Sequence, residues 1–133
     1  MAALLAVVAC GSGTTSPPVD AKVPVDLQNF KITTAAHVKA GIIQFDLDGI
    51  GPTMHEFNVA RTDLDPTKLP LSDDGTVDDQ TEHSDFTHIA EREGIDMGEH
   101  SMLTVQLKPG RYVLYCNMEG HYQAGMHAEI TVT

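Results

Sequence analysis

The chain has 133 residues, of which 41% are hydrophobic and only two are cysteine, so one domain with an ordinary apolar core is expected and a disulfide framework is excluded. Acidic residues outnumber basic ones by 19 to 8, and the formal charge of −11 excludes a protein that binds nucleic acid through its phosphates. No apolar run approaches the roughly 18 residues that cross a bilayer as a helix, so the body of the chain is expected to lie outside the membrane.

The amino terminus resembles a bacterial lipoprotein signal. Residues 1–9 form a short apolar run that ends in small residues directly before Cys10. The resemblance implies removal of residues 1–9, a lipid on Cys10, and a protein held in the periplasm or at the cell surface by that lipid alone. Residues 10–22 are rich in Gly, Ser, Thr and Pro and predict a flexible tether to a domain at 23–133. A frayed apolar terminus with an incidental Cys is the alternative, since no Lys or Arg precedes Leu4.

Alternating apolar and polar residues predict strands along the rest of the chain. In residues 43–47 the apolar side chains alternate with Gln and Asp, which places one face inward and the other in water. The same period recurs at 57–59, 103–107, 112–114 and 128–132. Residues 108–111, Lys-Pro-Gly-Arg, predict the turn of a hairpin. Several short strands with turn signals and little helical periodicity favour an all-β antiparallel sandwich or barrel.

Acidic side chains interrupt this alternation between residues 61 and 99. We interpret the stretch as a solvated acidic excursion that sets the surface charge. A short helix is compatible with residues 78–92. An EF-hand calcium loop is disfavoured, because Pro70 and Leu71 stand where alternating oxygen ligands would precede Gly75.

The residues that carry chemistry lie in one loop between two predicted strands. This loop combines the thiol of Cys116, the imidazole of His121 and the thioether of Met126. Soft sulfur ligands favour copper(I), imidazole accepts either copper state, and two imidazoles with a thiolate and a long axial Met are typical of electron-transfer copper. His55 shares the inward parity of the apolar residues that follow it, so its side chain is the best candidate for the second imidazole.

With these residues the chain resembles the cupredoxins, or type 1 blue copper proteins, from about Val23 to its end. The residues that match the family's ligands, in order, are His55, Cys116, His121 and Met126. The resemblance implies a Greek-key β-sandwich, here with an acidic loop insertion, that binds one copper ion and shuttles single electrons. Many relatives carry Asn where Glu56 stands, and the loop lacks their Pro. The backbone N–H groups of Glu56 and Asn117 are still available to donate to the cysteine sulfur.

The implied function is a one-electron carrier of the cell envelope and not an enzyme, because four protein ligands leave no coordination position open to a substrate. We expect electrons to leave through the solvent-near edge of His121, inside a docking rim formed by Gly120, Tyr122, Ala124 and Gly125. The acidic surface is expected to steer a basic redox partner, such as a cytochrome or a terminal oxidase, to a monomeric carrier.

Other functions of the same residues stay open. A copper-sequestering or copper-delivery lipoprotein would use these ligands but would release the metal to a partner. A structural zinc site is disfavoured by the thioether of Met126, and a dinuclear copper centre would need a second Cys in the loop. Nucleophilic catalysis by Cys116 with His121 lacks a third group to orient the imidazole.

The remaining histidines are given no ligand role. His127 follows Met126 and is expected to face the opposite way in its strand. Solvated surface positions, rather than a second metal site, are predicted for His83, His88 and His100.

Overall fold

The computed structural model describes residue 13 and residues 15–133, so the predicted signal 1–9 and the candidate lipidation site Cys10 lie outside the described residues. In this part of the chain there are nine strands and no helix. No segment of it therefore forms a helix long and apolar enough to cross a membrane. The prediction of an all-β protein is confirmed.

The nine strands form two sheets that pack face to face. In chain order they are β1 (Ala21–Gln28), β2 (Lys31–Thr33), β3 (His37–Val38), β4 (Gly41–Gly51), β5 (His55–Thr62), β6 (Phe86–Ile95), β7 (His100–Leu107), β8 (Gly110–Tyr115) and β9 (His127–Val132). The first sheet has the order β2-β1-β4-β7 and the second β3-β9-β8-β5-β6. Most neighbours are antiparallel, but β1 pairs parallel with β4 and β3 pairs parallel with β9. β1 begins at Ala21, inside the predicted tether 10–22.

The main core lies between the two sheets. In β4 the side chains of Ile43, Phe45 and Leu47 are buried while the intervening residues are half-exposed, as their alternation predicts. Phe45 meets Phe57 of the opposite sheet with 5.2 Å between ring centroids. The apolar faces of the two sheets thus form one continuous core, which fixes the position of β5.

The predicted hairpin at residues 108–111 is wrong. β7, before the turn, pairs with β4 in the first sheet, whereas β8, after it, pairs with β5 and β9 in the second. The link therefore carries the chain from one layer of the sandwich to the other. Its Pro and Gly predict a reversal of direction, but the partner that a strand chooses after the turn depends on the packing of the two sheets.

The acidic excursion is shorter than the sequence predicts. β5 continues to Thr62 and β6 occupies Phe86–Ile95, so the irregular backbone of this stretch is limited to residues 63–85 and the turn at 96–99, and no helix forms within 78–92. β6 is the edge strand of its sheet, where charged side chains can point into water without cost to the core. Its buried positions, Phe86 and Ile95, lie at its two ends, so the period-two pattern is weak.

Residues 63–85 also cover a second, smaller core on the outer face of the β5–β8 sheet. Leu69 and Val77 are only 4% and 2% exposed and pack with Tyr115 and Tyr122. This segment is therefore a folded layer as well as an acidic surface. Because it lies against β8, it contacts the loop that follows that strand.

Candidate metal centre

Three neighbouring strands bring the predicted ligands to one end of the second sheet. His55 is the first residue of β5, Cys116 directly follows β8, and Met126 directly precedes β9. β8 lies between β5 and β9, and its last residue pairs with the first residue of β9. His121 lies in the loop that joins β8 to β9. His55 and Cys116, which are 61 positions apart in the chain, thereby become neighbours.

The donor atoms of three of these residues face one point. Nδ1 of His55 lies 3.3 Å from Nδ1 of His121, and the Sγ atom of Cys116 lies 4.0 and 3.4 Å from these two nitrogens. A circle through three atoms with these separations has a radius of about 2.1 Å, close to the roughly 2.0–2.3 Å bonds that imidazole and thiolate form with a first-row metal ion. The three side chains therefore fit one metal ion without rearrangement.

The four predicted metal ligands differ in how deeply they are buried. His55, Cys116 and Met126 are fully buried, whereas His121 is partly exposed. Met126 shares the main core with Cys116, and its carbonyl oxygen accepts from the Cys116 N–H at 3.1 Å. Its own N–H donates to the carbonyl oxygen of His121 at 3.1 Å. These two backbone bonds close the loop around the donor atoms.

The electrostatics of the thiol combine burial with hydrogen bonding. The pKa of Cys116 is raised overall, because burial raises it by more than the backbone hydrogen bonds from Glu56 and Met118 lower it. The Glu56 N–H donates to Sγ at 3.3 Å, as predicted, and it does so regardless of the side chain at that position. The second N–H comes from Met118 and not from Asn117, whose side chain instead turns toward residues 63–85.

Both imidazoles are poised as neutral donors. Burial lowers the pKa of His55 and of His121, and the charge of His121 lowers that of His55 further. A neutral imidazole has a free lone pair, which a metal requires. Nε2 of His55 is the one buried side-chain nitrogen or oxygen in the described part of the chain that has no hydrogen-bond partner. The orientation of this ring is thus set by packing rather than by the hydrogen bond that most ligating histidines make.

The loop is fastened to residues 63–85 by two side chains that the sequence did not single out for this role. Asn117 makes two hydrogen bonds with the backbone of Val77, at 2.8 and 3.1 Å. The Tyr122 hydroxyl donates to the Pro66 carbonyl at 2.8 Å and accepts from the Leu69 N–H at 3.1 Å. Tyr122 is 6% exposed, so its predicted place in a docking rim is wrong. Its side chain points inward because the folded layer of residues 63–85 covers it.

The exposed edge of His121 is surrounded by small and apolar groups. Gly120, Ala124 and Gly125 are exposed, as predicted. Phe30, which the sequence did not indicate, meets the His121 ring edge-on at 5.2 Å between centroids and is 45% exposed. Phe30 follows β1, and no local pattern connects that turn with a loop 90 residues later; only the folded sandwich brings them together.

The other histidines are placed as follows. His127 is not among the three converging donors, and its ring packs against Tyr122 at 5.4 Å between centroids. His100 is exposed and pairs with Asp48, and the half-buried His83 pairs with Asp78. The side chain of His88 is likewise half-buried, 21% exposed against 27% for His83, and contacts Glu91, so the prediction of a solvated surface position is wrong for both. The bulged edge strand turns the ring of His88 toward neighbouring side chains.

Comparison with known proteins gives a consistent picture. Residues 23–133 match the sequence profile of the sulfocyanin (SoxE) domain. Auracyanin B is 18% identical with a TM-score of 0.61, over 92% of this chain and 96% of that one. Auracyanin from Roseiflexus castenholzii is 17% identical with a TM-score of 0.62, over 87% and 99%. Rusticyanin from Thiobacillus ferrooxidans is 16% identical with a TM-score of 0.55, over 84% and 76%. A search of curated protein sequences gave no significant match. At these identities the structural likeness establishes a common fold.

Proposed function

The chain belongs to the sulfocyanin (SoxE) domain family of cupredoxins, and on that premise we propose that it is a one-electron carrier of the cell envelope. In this proposal His55, Cys116, His121 and Met126 hold its single type 1 copper ion. Bound copper supplies a centre that accepts and gives up one electron. The observation that carries the proposal is the convergence of Sγ of Cys116 and two Nδ1 atoms on one point, with a buried thioether beside them in the core.

The scaffold supports this role because it holds the donors in place. His55 is fixed by the pairing of β5 with β6 and β8, and Cys116 and Met126 by the pairing of β8 with β9. A site whose donors cannot move far changes little in geometry between oxidation states, so the barrier to electron transfer is small. Burial of three donors also slows loss of the metal, which favours a carrier over a copper-sequestering or copper-delivery lipoprotein.

The route proposed for the electron is the exposed edge of His121. It is the only one of the four proposed ligands that reaches the surface, and Phe30 and Gly125 lie beside it. Three further exposed apolar side chains, Ile50, Met54 and Met97, lie on or beside the loops at this end of the sandwich. A partner that docks there meets a mainly apolar surface, while the charge of −11 would steer a basic partner such as a cytochrome or a terminal oxidase.

The cellular location is proposed from the sequence. Residues 1–9 would be removed, Cys10 would carry the lipid, and residues 10–22 would tether the domain 23–133 to a membrane. Mass spectrometry of the protein purified from cell envelopes should find an acylated Cys10 as the first residue. An intact Met1 terminus would contradict this part of the proposal.

Protein-film voltammetry on the copper-loaded protein, with a Cu(I) chelator in solution, tests the carrier function. A carrier gives a reversible one-electron wave that persists over many cycles, because the metal stays bound in both oxidation states. A copper-delivery protein would lose its signal to the chelator after the first reductions. That loss would overturn the proposed role while leaving the metal ligands in place.

A further inference from the structure

A second group of candidate metal ligands lies at the edge strand β6. It is separate from the loop of residues 116–126 that carries three of the proposed copper ligands, called the copper loop below. One donor atom each from Asp79, His88 and Glu91 lies within 4.8 Å of the other two. Nε2 of His88 and Oε2 of Glu91 are 3.8 Å apart. None of these residues belongs to the proposed copper ligands, so the group is independent of the function proposed above.

A β-bulge explains why two residues three positions apart share a face. On a regular strand, His88 and Glu91 would point to opposite sides of the sheet. Here Val59 pairs with Ala90 and Ala60 pairs with His88, so Ile89 is an extra residue in β6. The bulge turns the strand and brings both side chains to the same side. Bulges of this kind often re-aim side chains next to functional sites.

Neighbouring polar groups hold two of the three side chains in position. Oδ2 of Asp79 accepts from Nδ2 of Asn117 at 3.2 Å and from the Tyr115 hydroxyl at 3.5 Å. The ring of His88 lies with Nε2 3.4 Å from Oδ1 of Asn58, an amide that is itself fully buried. A second layer of hydrogen bonds of the kind made by Asp79 typically orients metal-binding carboxylates. Because Asn58 and Glu91 face the same ring nitrogen of His88, Nε2 gives up its contact with Asn58 when it binds the metal.

The group is accessible and carries unbalanced negative charge. Asp79 and His88 line a cavity of about 550 Å³. Across residues 15–133, no Lys or Arg forms an ion pair with Asp79 or Glu91. Glu91 lies outside this lining, so a cation bound by all three residues would sit at the edge of the cavity, between two carboxylates without a basic partner, on a protein with a net charge of −11.

We propose that Asp79, His88 and Glu91 form a second metal site that binds a divalent transition ion such as Zn²⁺. One imidazole with two carboxylates suits Zn²⁺ or Cu²⁺ better than Mg²⁺ or Ca²⁺, which take oxygen ligands. Three protein ligands leave at least one position for water, so this site differs from the closed copper centre.

Calorimetric titration of Zn²⁺ into the copper-loaded protein tests the site, with the blue absorption monitored to confirm that copper stays in place. We expect one Zn²⁺ ion per chain. His88→Gln should weaken its binding by about tenfold or more, because one of only three protein ligands is lost. Glu91→Gln removes an exposed carboxylate with little risk to folding and should weaken binding in the same direction.

His83→Gln is the matched control. His83 lines the same cavity but pairs with Asp78, so this variant should bind Zn²⁺ as the unmodified protein does. The assignment is overturned if the unmodified protein binds no Zn²⁺, if His88→Gln and Glu91→Gln bind as tightly as it does, or if the His83 variant is the one that loses affinity.

Discussion

The side-chain amide of Asn117 makes two hydrogen bonds with the backbone of Val77: its oxygen accepts from the N–H at 2.8 Å and its Nδ2 donates to the carbonyl at 3.1 Å. Asn117 directly follows the proposed ligand Cys116, and Val77 is buried in the layer formed by residues 63–85. The acidic segment is therefore part of the support of the copper loop.

Removal of this amide should weaken the whole layer. We expect Asn117→Ala to lower the free energy of unfolding of the copper-loaded protein by about 1–3 kcal/mol, because two backbone groups of a buried residue lose their partners. Chemical denaturation measures the change. Glu119→Ala, an exposed position in the same loop, should be neutral by comparison. Equal stability of the two variants would contradict the structural role of Asn117.

The Tyr122 hydroxyl offers a second test of the same contact. Tyr122→Phe should cost about 1–2 kcal/mol, because the Leu69 N–H and the Pro66 carbonyl both lose a hydrogen bond. Tyr112→Phe is the matched control, since its hydroxyl donates to the Lys108 carbonyl at 2.8 Å, far from the copper loop in the fold. Both variants should lose stability, but only Tyr122→Phe should speed copper loss to a chelator. Unchanged copper loss in the Tyr122 variant would show that residues 63–85 do not support the loop.

The buried thioether should tune the reduction potential. Met126→Leu removes a weak sulfur donor that favours the more highly charged Cu(II) state, so the potential should rise. The two side chains have similar volumes, and stability should fall by less than about 1.5 kcal/mol. Met102→Leu, at a residue 63% exposed, should leave the potential unchanged. A potential that does not move in Met126→Leu would remove Met126 from the ligand set.

The layer formed by residues 63–85 contains three carboxylates with lowered pKa values, and these indicate how the layer should respond to acid. In each case a hydrogen bond is the main cause of a pKa below the ordinary 3.8. The hydroxyl of Thr67 lowers the pKa of Asp65, the hydroxyl of Thr76 lowers that of Asp74, and Thr81 lowers that of Asp78. A depressed carboxylate pKa gives stability that is complete above the unfolded value and is lost as the pH falls through the folded value. The layer should therefore loosen only below about pH 4.

An NMR titration of one variant tests whether the hydrogen bond from Thr76 lowers the pKa of Asp74. Thr76→Val removes the hydroxyl that donates to Oδ1 of Asp74, so the pKa of Asp74 should rise toward 3.8 while that of Asp65 stays low. If Asp74 titrates at its ordinary value in the unmodified protein, the proposed hydrogen bond does not persist in solution.

The alternation of apolar and polar residues predicted five of the nine strands in the described part of the chain, and the chemistry of four side chains predicted the metal site. The five predicted strands fall within β4, β5, β7, β8 and β9, and period-two burial is clearest in β4. β5 and β8 are buried at consecutive positions because both faces of the second sheet are covered. β1 was not predicted although Val23, Val25 and Leu27 alternate with exposed residues, because the Pro at position 24 within this run argues against a strand. Its parallel pairing with β4 has no local signal, because a parallel partner is chosen by the packing of distant segments.

The site was predictable to the extent that its donors have distinctive chemistry. Cys116, His121 and Met126 stand close together in the sequence, and the parity of β5 pointed His55 inward. The supporting contacts were not predictable. Phe30 and Val77 reach the copper loop only because turns from different sheets and layers meet at one end of the sandwich.

The most direct measurement of the central claim is the visible spectrum of residues 19–133 after loading with copper(II), recorded beside Cys116→Ser. If Cys116, His55 and His121 bind one ion together, the protein should show an intense thiolate-to-copper charge-transfer band that is absent from the serine variant. A colourless protein that takes up zinc in preference to copper would contradict the account.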